Sequence, residues 1–161
     1  MRFTITASDY RHWGSTSYQV LLIGVLRNTG TQTITLVAPG DGSTRGVRTP
    51  RITLQVETAE GTPHPLHRGT LVDGQINPLR REAVFDLPAG ESRLIENWLG
   101  VAGITEPGAY EISVEYWNDP GMEWTARPLA RHDPSAMERV RASTPCRVTS
   151  NNLRVDVPER R

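Results

Sequence analysis

Apolar residues recur at every second position along most of this chain, which is the period of a β-strand with one buried face. Phe3, Ile5 and Ala7 alternate in the first segment, and Ile52, Leu54 and Val56 do so across Arg51–Glu57. The clearest alternation follows Pro107-Gly108: Tyr110, Ile112, Val114 and Tyr116 point one way, while Glu111, Ser113 and Glu115 point to solvent. Leu153, Val155 and Val157 mark the last strand, Asn152–Val157. Tyr18–Leu26 departs from this rhythm because it is nearly all apolar. That composition predicts a central strand covered on both faces. It ends at Arg27-Asn28-Thr29-Gly30, where Asn and Gly suit the positive φ of a tight turn, and a Thr-rich strand, Thr31–Val37, follows.

Ala83–Leu87 and Ser92–Leu99 read as two strands about the turn Pro88-Ala89-Gly90-Glu91. Residues 61–79, with two histidines and several prolines, read as a loop with a short edge strand around Thr70–Val72. A long connection, 118–146, separates the Tyr110 strand from the last one, and it contains the one helical pattern, 134–142. Asp133 can cap the free N–H groups there and Pro134 suits the first helical position, with Ala136, Met137 and Val140 on the buried side. About eight short strands and one helix predict an all-β, two-sheet antiparallel sandwich formed as a single domain over residues 1–161.

Four stretches carry a resemblance. Leu22–Gly30, Leu87–Ser92, Pro107–Val114 and Thr149–Val155 are similar to the turn-and-strand patterns of bacterial immunoglobulin-like or fibronectin-III-like sandwiches. The resemblance implies a structural role for Tyr110, whose hydroxyl would tie the preceding corner to the backbone. Gly30 and Gly108 would serve turns, and Trp98, in a strand pattern, would be core. The Cys and Trp pattern of antibody domains is absent.

Composition removes much chemistry. All 18 basic residues are Arg, so no Schiff-base amine, P-loop lysine, kinase-type lysine or Ser-x-x-Lys pair is present. A single cysteine, Cys146, leaves no intramolecular disulfide and no Cys-based zinc or iron–sulfur site. It reads as a small buried residue at a strand start. His12, His64, His67 and His132 accompany no catalytic motif, and His64-Pro65-Leu66-His67 falls on a proline-containing loop that sets no two rings on one face, so it reads as a solvated loop. Asp41-Gly42 and Asp73-Gly74 read as turns, since neither continues into a calcium loop. These residues predict no enzyme, no cofactor and no metal site.

Charge is segregated although its total is zero. Residues 1–56 carry six Arg against two acids, residues 57–126 four against twelve, and residues 127–161 eight against four, a layout of +4, −8 and +4. Internal pairing is the favoured reading, with Arg154 of the last strand facing Glu111 or Glu115 and the basic loop folded over the acidic strand face. In the other reading, Arg127, Arg131, Arg139 and Arg141 form a cationic patch for an acidic protein partner, joined by Trp13, Trp117 and Trp124 as interface anchors. No aromatic-interleaved motif points to nucleic acid, and no apolar run is long enough for a membrane span. The strand-like start, Met1–Thr6, lacks signal-peptide character, which predicts a cytoplasmic location, or an extracytoplasmic one if a leader has been removed.

The leading expectation is therefore a non-enzymatic binding or adaptor module that uses loops at one end of the sandwich. An intracellular protease inhibitor is the alternative, because Asn28-Thr29-Gly30 and Arg127-Pro128 partly resemble the inhibitory loops of chagasin-like proteins. A carbohydrate-binding module using Trp13, or Trp117 with Trp124, is the second alternative.

Overall fold

A computed structural model describes residues 1–13, 17–38, 51–64, 81–104, 106–121 and 133–159; for 8–13, 17–19, 51 and 96–103 the backbone alone is described. Among the described residues nine strands run in the order β1 (Arg2–Trp13), β2 (Ser17–Arg27), β3 (Ile34–Val37), β4 (Arg51–Thr58), β5 (Val84–Leu87), β6 (Ser92–Ile104), β7 (Gly108–Asn118), β8 (Cys146–Thr149) and β9 (Leu153–Val157). One helix, α1 (Pro134–Arg141), lies between β7 and β8. The described chain is thus all-β, and every strand pair is antiparallel. The edge strand expected around Thr70–Val72 lies outside the described residues.

Three sheets share one hydrophobic core. β1, β2 and β6 form the first in that order, β3 and β5 the second, and β7 is the centre of the third. Phe3, Ile5, Val20, Leu22 and Leu26 from the first sheet meet Leu36 and Phe85 from the second and Ile112, Val114, Tyr116 and Val155 from the third. Burying each such aliphatic or aromatic side chain contributes roughly 1.5–3 kcal/mol, so the shared core is what binds the sheets together. The alternation read along β7 holds, since Tyr110, Ile112, Val114 and Tyr116 are all buried.

Two features of the third sheet were not anticipated. β4 pairs one edge of β7 along its length, but the other edge is divided: β8 covers Glu115–Asn118 and β9 covers Gly108–Ile112. Val114 falls in the gap, and Ser150 fills it. The Ser150 N–H donates to the Val114 carbonyl at 2.9 Å, and the Val114 N–H donates to Ser150 Oγ at 3.0 Å. Asn151 then turns to the first sheet, where its Oδ1 accepts the Ile5 N–H at 2.8 Å and its Nδ2 donates to the Ile5 carbonyl at 3.3 Å. The strand start expected at Cys146 is found, but it opens a separate four-residue strand, β8, in which half-buried Cys146 and Val148 alternate with exposed Arg147 and Thr149, rather than leading into the last strand.

The chain-central strand also differs from expectation. β2 is the middle strand of its sheet, yet among its described apolar side chains only Val20, Leu22 and Leu26 enter the core. On the opposite face Ile23 is 37% exposed, and across the ladder from Val25 the β6 residue Leu94 is 47% exposed. β6 runs five residues beyond the predicted end at Leu99, because pairing with β2 continues to Ile104 through two register shifts. Helix α1 begins as predicted: Asp133 Oδ1 accepts the Ser135 N–H at 2.9 Å. Ala136 and Val140 are buried and Met137 partly so, packed on Val37 and Val84.

Candidate functional site

One end of the molecule is organised around a side chain that is polar and buried. Asn28 is only 2% exposed, directly after β2. Its Nδ2 donates to the Gln32 carbonyl at 2.7 Å and to the Leu87 carbonyl at 2.9 Å, while Oδ1 accepts the Gly30 N–H at 3.0 Å. Its backbone N–H donates to Glu91 O at 3.0 Å, and its carbonyl accepts the Gly90 N–H at 2.9 Å. The Arg27–Gly30 turn is therefore fixed by side-chain hydrogen bonds; Gly30 does not adopt the positive φ expected of it, whereas Gly90, at φ 78°, does. The two turns lie side by side, with Thr29, Gly30, Ala89 and Gly90 exposed.

Beside these turns, Arg2 and Arg27 stand directly opposite one another on β1 and β2. Both are exposed, and together with Asn28, Thr29, Gly30 and Gly90 they line an open cleft. Among the described residues neither guanidinium has a hydrogen-bond or ion-pair partner. The next outward-facing row is Thr4, Val25 and Leu94, matched residue for residue across all three strands.

Trp117 and Arg147 lie toward the same end on the outward face of the third sheet, while α1 packs on Val37 and Val84, three residues along β3 and β5 from the Ile34–Leu87 pair. Arg147 sits opposite the half-buried Trp117 across β7 and β8, with its guanidinium 5.7 Å from the indole centroid and its Nε donating to Glu115 Oε2 at 2.8 Å. The Glu115 carboxylate holds the Arg147 pKa above its usual value. Cys146 is half-buried at the start of β8; burial pushes its thiol pKa up, against the Asn118 backbone bond and the Met1 ammonium, which lower it. Asn118, itself buried, donates to Ser143 Oγ at 3.0 Å and Thr144 O at 2.8 Å, and Thr144 in turn bonds Thr35 at the edge of β3. Arg139 donates to the Val84 carbonyl at 2.8 Å and pairs with Asp86 at 3.1 Å, so this helical cation closes the edge of β5. Arg141, at the end of α1, is exposed.

Tyr110 and Gly108 mark the opposite end. The Tyr110 hydroxyl donates to the Glu106 carbonyl at 3.0 Å, tying the corner before β7, and Gly108 has φ 150°, a conformation suited to glycine. His64 is half-buried rather than solvated: its ring meets Tyr110 edge-on at 5.1 Å, and Nε2 is buried without a hydrogen-bond partner. Trp13 ends β1 at this side of the molecule, eight residues beyond Ile5, or roughly 26 Å at about 3.3 Å per residue. Trp117 lies three residues from Val114 in the other direction, so Trp13 and Trp117 belong to different ends. Trp98 lies in β6, where backbone alone is described. Trp124, Arg127, Arg131 and His67 lie outside the described residues.

The divided charge layout is partly paired within the fold. Arg147 meets Glu115 and Arg139 meets Asp86. Arg154 stands opposite Glu111 as expected, but its Nε is 3.5 Å from Asp156, and Glu111 accepts from Asn152 Nδ2 at 2.8 Å. Among the described residues no three His, Cys, Asp or Glu side chains gather as metal ligands, and no helix is long and apolar enough to cross a membrane. Arg2 and Arg27 were not singled out by sequence, and Asn28 was read as a turn and loop residue rather than as a buried anchor. Strand alternation puts Arg2 in phase with Thr4, and Arg27 with Val25, but the register that opposes the two arginines depends on pairing between strands. In comparison with known proteins, no family matches the chain and no curated protein is similar to it.

Proposed function

We propose that this chain is a non-enzymatic protein-binding module of immunoglobulin-like sandwich type, which recognises an acidic partner protein through the end built around Asn28. Antiparallel pairing throughout, one core shared by the sheets and the Tyr110 corner bond support the sandwich reading. The observation that carries the binding reading is the pair of exposed, directly opposed cations Arg2 and Arg27 beside the rigidly held Asn28 and Gly90 turns, with the Trp117–Arg147 stack on the outward face of another sheet. Arg and Trp dominate interface hot spots, because a planar guanidinium and a large ring each fix a partner at low conformational cost.

A photo-crosslinking residue at Thr29, compared with one at Glu60 beyond β4 on the opposite end, tests this in lysate of the source cells. A discrete crosslinked product at position 29 and none at 60 is expected. No product at 29, or equal products at both, refutes the reading.

A second reading has one observation in its favour: the Asn28–Gly30 and Pro88–Glu91 turns are exposed side by side and rigidly held, as loops wedged into a protease cleft would be. Unchanged papain-like and subtilisin-like activity in the presence of the protein removes it.

A further inference from the structure

The opposed arginines Arg2 and Arg27 carry an inference about what the partner presents. Like charges placed directly opposite on an antiparallel ladder repel one another. Two other cations, Arg147 and Arg139, have internal acidic partners in Glu115 and Asp86. Arg2 and Arg27 have none among the described residues, although both line one cleft. We propose that this cleft receives a carboxylate side chain from an extended segment of the partner protein, and that an apolar side chain two residues away on that segment packs on Val25 and Leu94. The inference rests on the binding-module reading and names the chemistry of its partner.

Three observations set that chemistry. Two guanidiniums side by side offer planar, paired donors that match the two oxygens of a carboxylate. The backbone N–H groups of Asn28, Gly30 and Gly90, which also line the cleft, are already bonded to Glu91 O, Asn28 Oδ1 and Asn28 O. They are not available as the nest of donors that a phosphate group draws on. Finally, the Arg2–Arg27 row is followed on the same face by Thr4, Val25 and Leu94, with Leu94 47% exposed. Rows two residues apart lie about 7 Å apart, which is also the spacing of same-side residues in an extended peptide. An acidic residue on the first row therefore puts the residue after next over the second.

The test uses the full chain, isotopically labelled, and follows its backbone amides by NMR during titration with the blocked peptide Ser-Glu-Thr-Leu-Ser. The parallel probes replace Glu by Gln, Glu by phosphoserine, or Leu by Ser, and inorganic phosphate is titrated alone. Saturating shifts at Thr29, Gly30, Gly90 and Leu94 are expected with the Glu peptide. The Gln and Ser peptides, and the Arg2→Gln/Arg27→Gln double variant, should each weaken binding about tenfold or more. Unchanged Asn28 amide shifts in the double variant report that the turn is intact. Equal binding of the Glu and Gln peptides, tighter binding of the phosphoserine peptide or of phosphate, or the absence of saturating shifts at these positions overturns the proposal. If the crosslink at Thr29 survives in the double variant, the binding-module reading stands and this inference fails. If the unmodified chain gives no crosslink there, the module reading itself fails.

Discussion

The carboxamide of Asn28 donates to the main-chain carbonyl of Leu87, 59 residues further along, at 2.9 Å. This bond joins the turn after β2 to the end of β5, and with the bond to Gln32 it leaves both Nδ2 hydrogens satisfied in a buried setting. A buried amide is costly unless its donors and acceptors are matched, so the geometry of this end depends on one side chain.

Asn28→Ala is expected to lower unfolding free energy by about 2–4 kcal/mol, because the Leu87 and Gln32 carbonyls and the Gly30 N–H lose their partner together. Urea denaturation measures it. A loss of less than half a kcal/mol, on the order of an ordinary surface change, contradicts the structural role.

Tyr116→Phe removes the hydroxyl that donates to the Val37 carbonyl at 2.6 Å in the core. A cost of about 1–3 kcal/mol follows at neutral pH. Burial, with the neighbouring Cys146, pushes the Tyr116 phenol well above its usual pKa. Stability from its neutral form is complete below the unfolded value of about 10 and is lost as pH rises through the folded one. Stability measured across alkaline pH should fall less steeply in the Phe variant than in the natural chain. Parallel curves would show that Tyr116 does not set the slope.

Gly108→Ala should destabilise by about 1–3 kcal/mol. Space is not the cause, since an added Cβ would come no nearer than 3.7 Å to the Tyr110 ring; the φ of 150° is. Thermal unfolding at neutral pH gives the result, and an unchanged midpoint would mean that the corner relaxes freely.

Cys146 should react severalfold more slowly with a thiol-exchange reagent at mildly alkaline pH in the native chain than in urea. Burial keeps its thiol protonated and also restricts access. Equal rates would show that the start of β8 opens readily.

Much of the strand content is legible in the chain, and the reason differs by element. β7 declares itself because Tyr110, Ile112, Val114 and Tyr116 face one buried layer while the intervening residues face out. α1 declares itself through Asp133 and Pro134, whose capping preferences are local. β8 is legible only at its start, Cys146; that it is a short strand distinct from β9 is decided by which stretch of β7 each one pairs. The candidate site divides in the same way. Trp117 and Arg139 stand out by residue type, whereas the importance of Asn28 rests on Leu87 and Glu91, far away in sequence.

The sequence by itself determined an all-β chain, the inward face of each alternating strand, the capped helix and a basic side made wholly of guanidinium. Those properties follow from periods and propensities that act within a few residues. Only the tertiary structure decided that β8 and β9 share one edge of β7, that Trp13 and Trp117 sit at opposite ends, and that Arg2 faces Arg27. Register and edge sharing are set by how distant strands bury their faces against one another, and a like-charged pair arises from that alignment rather than from either segment alone.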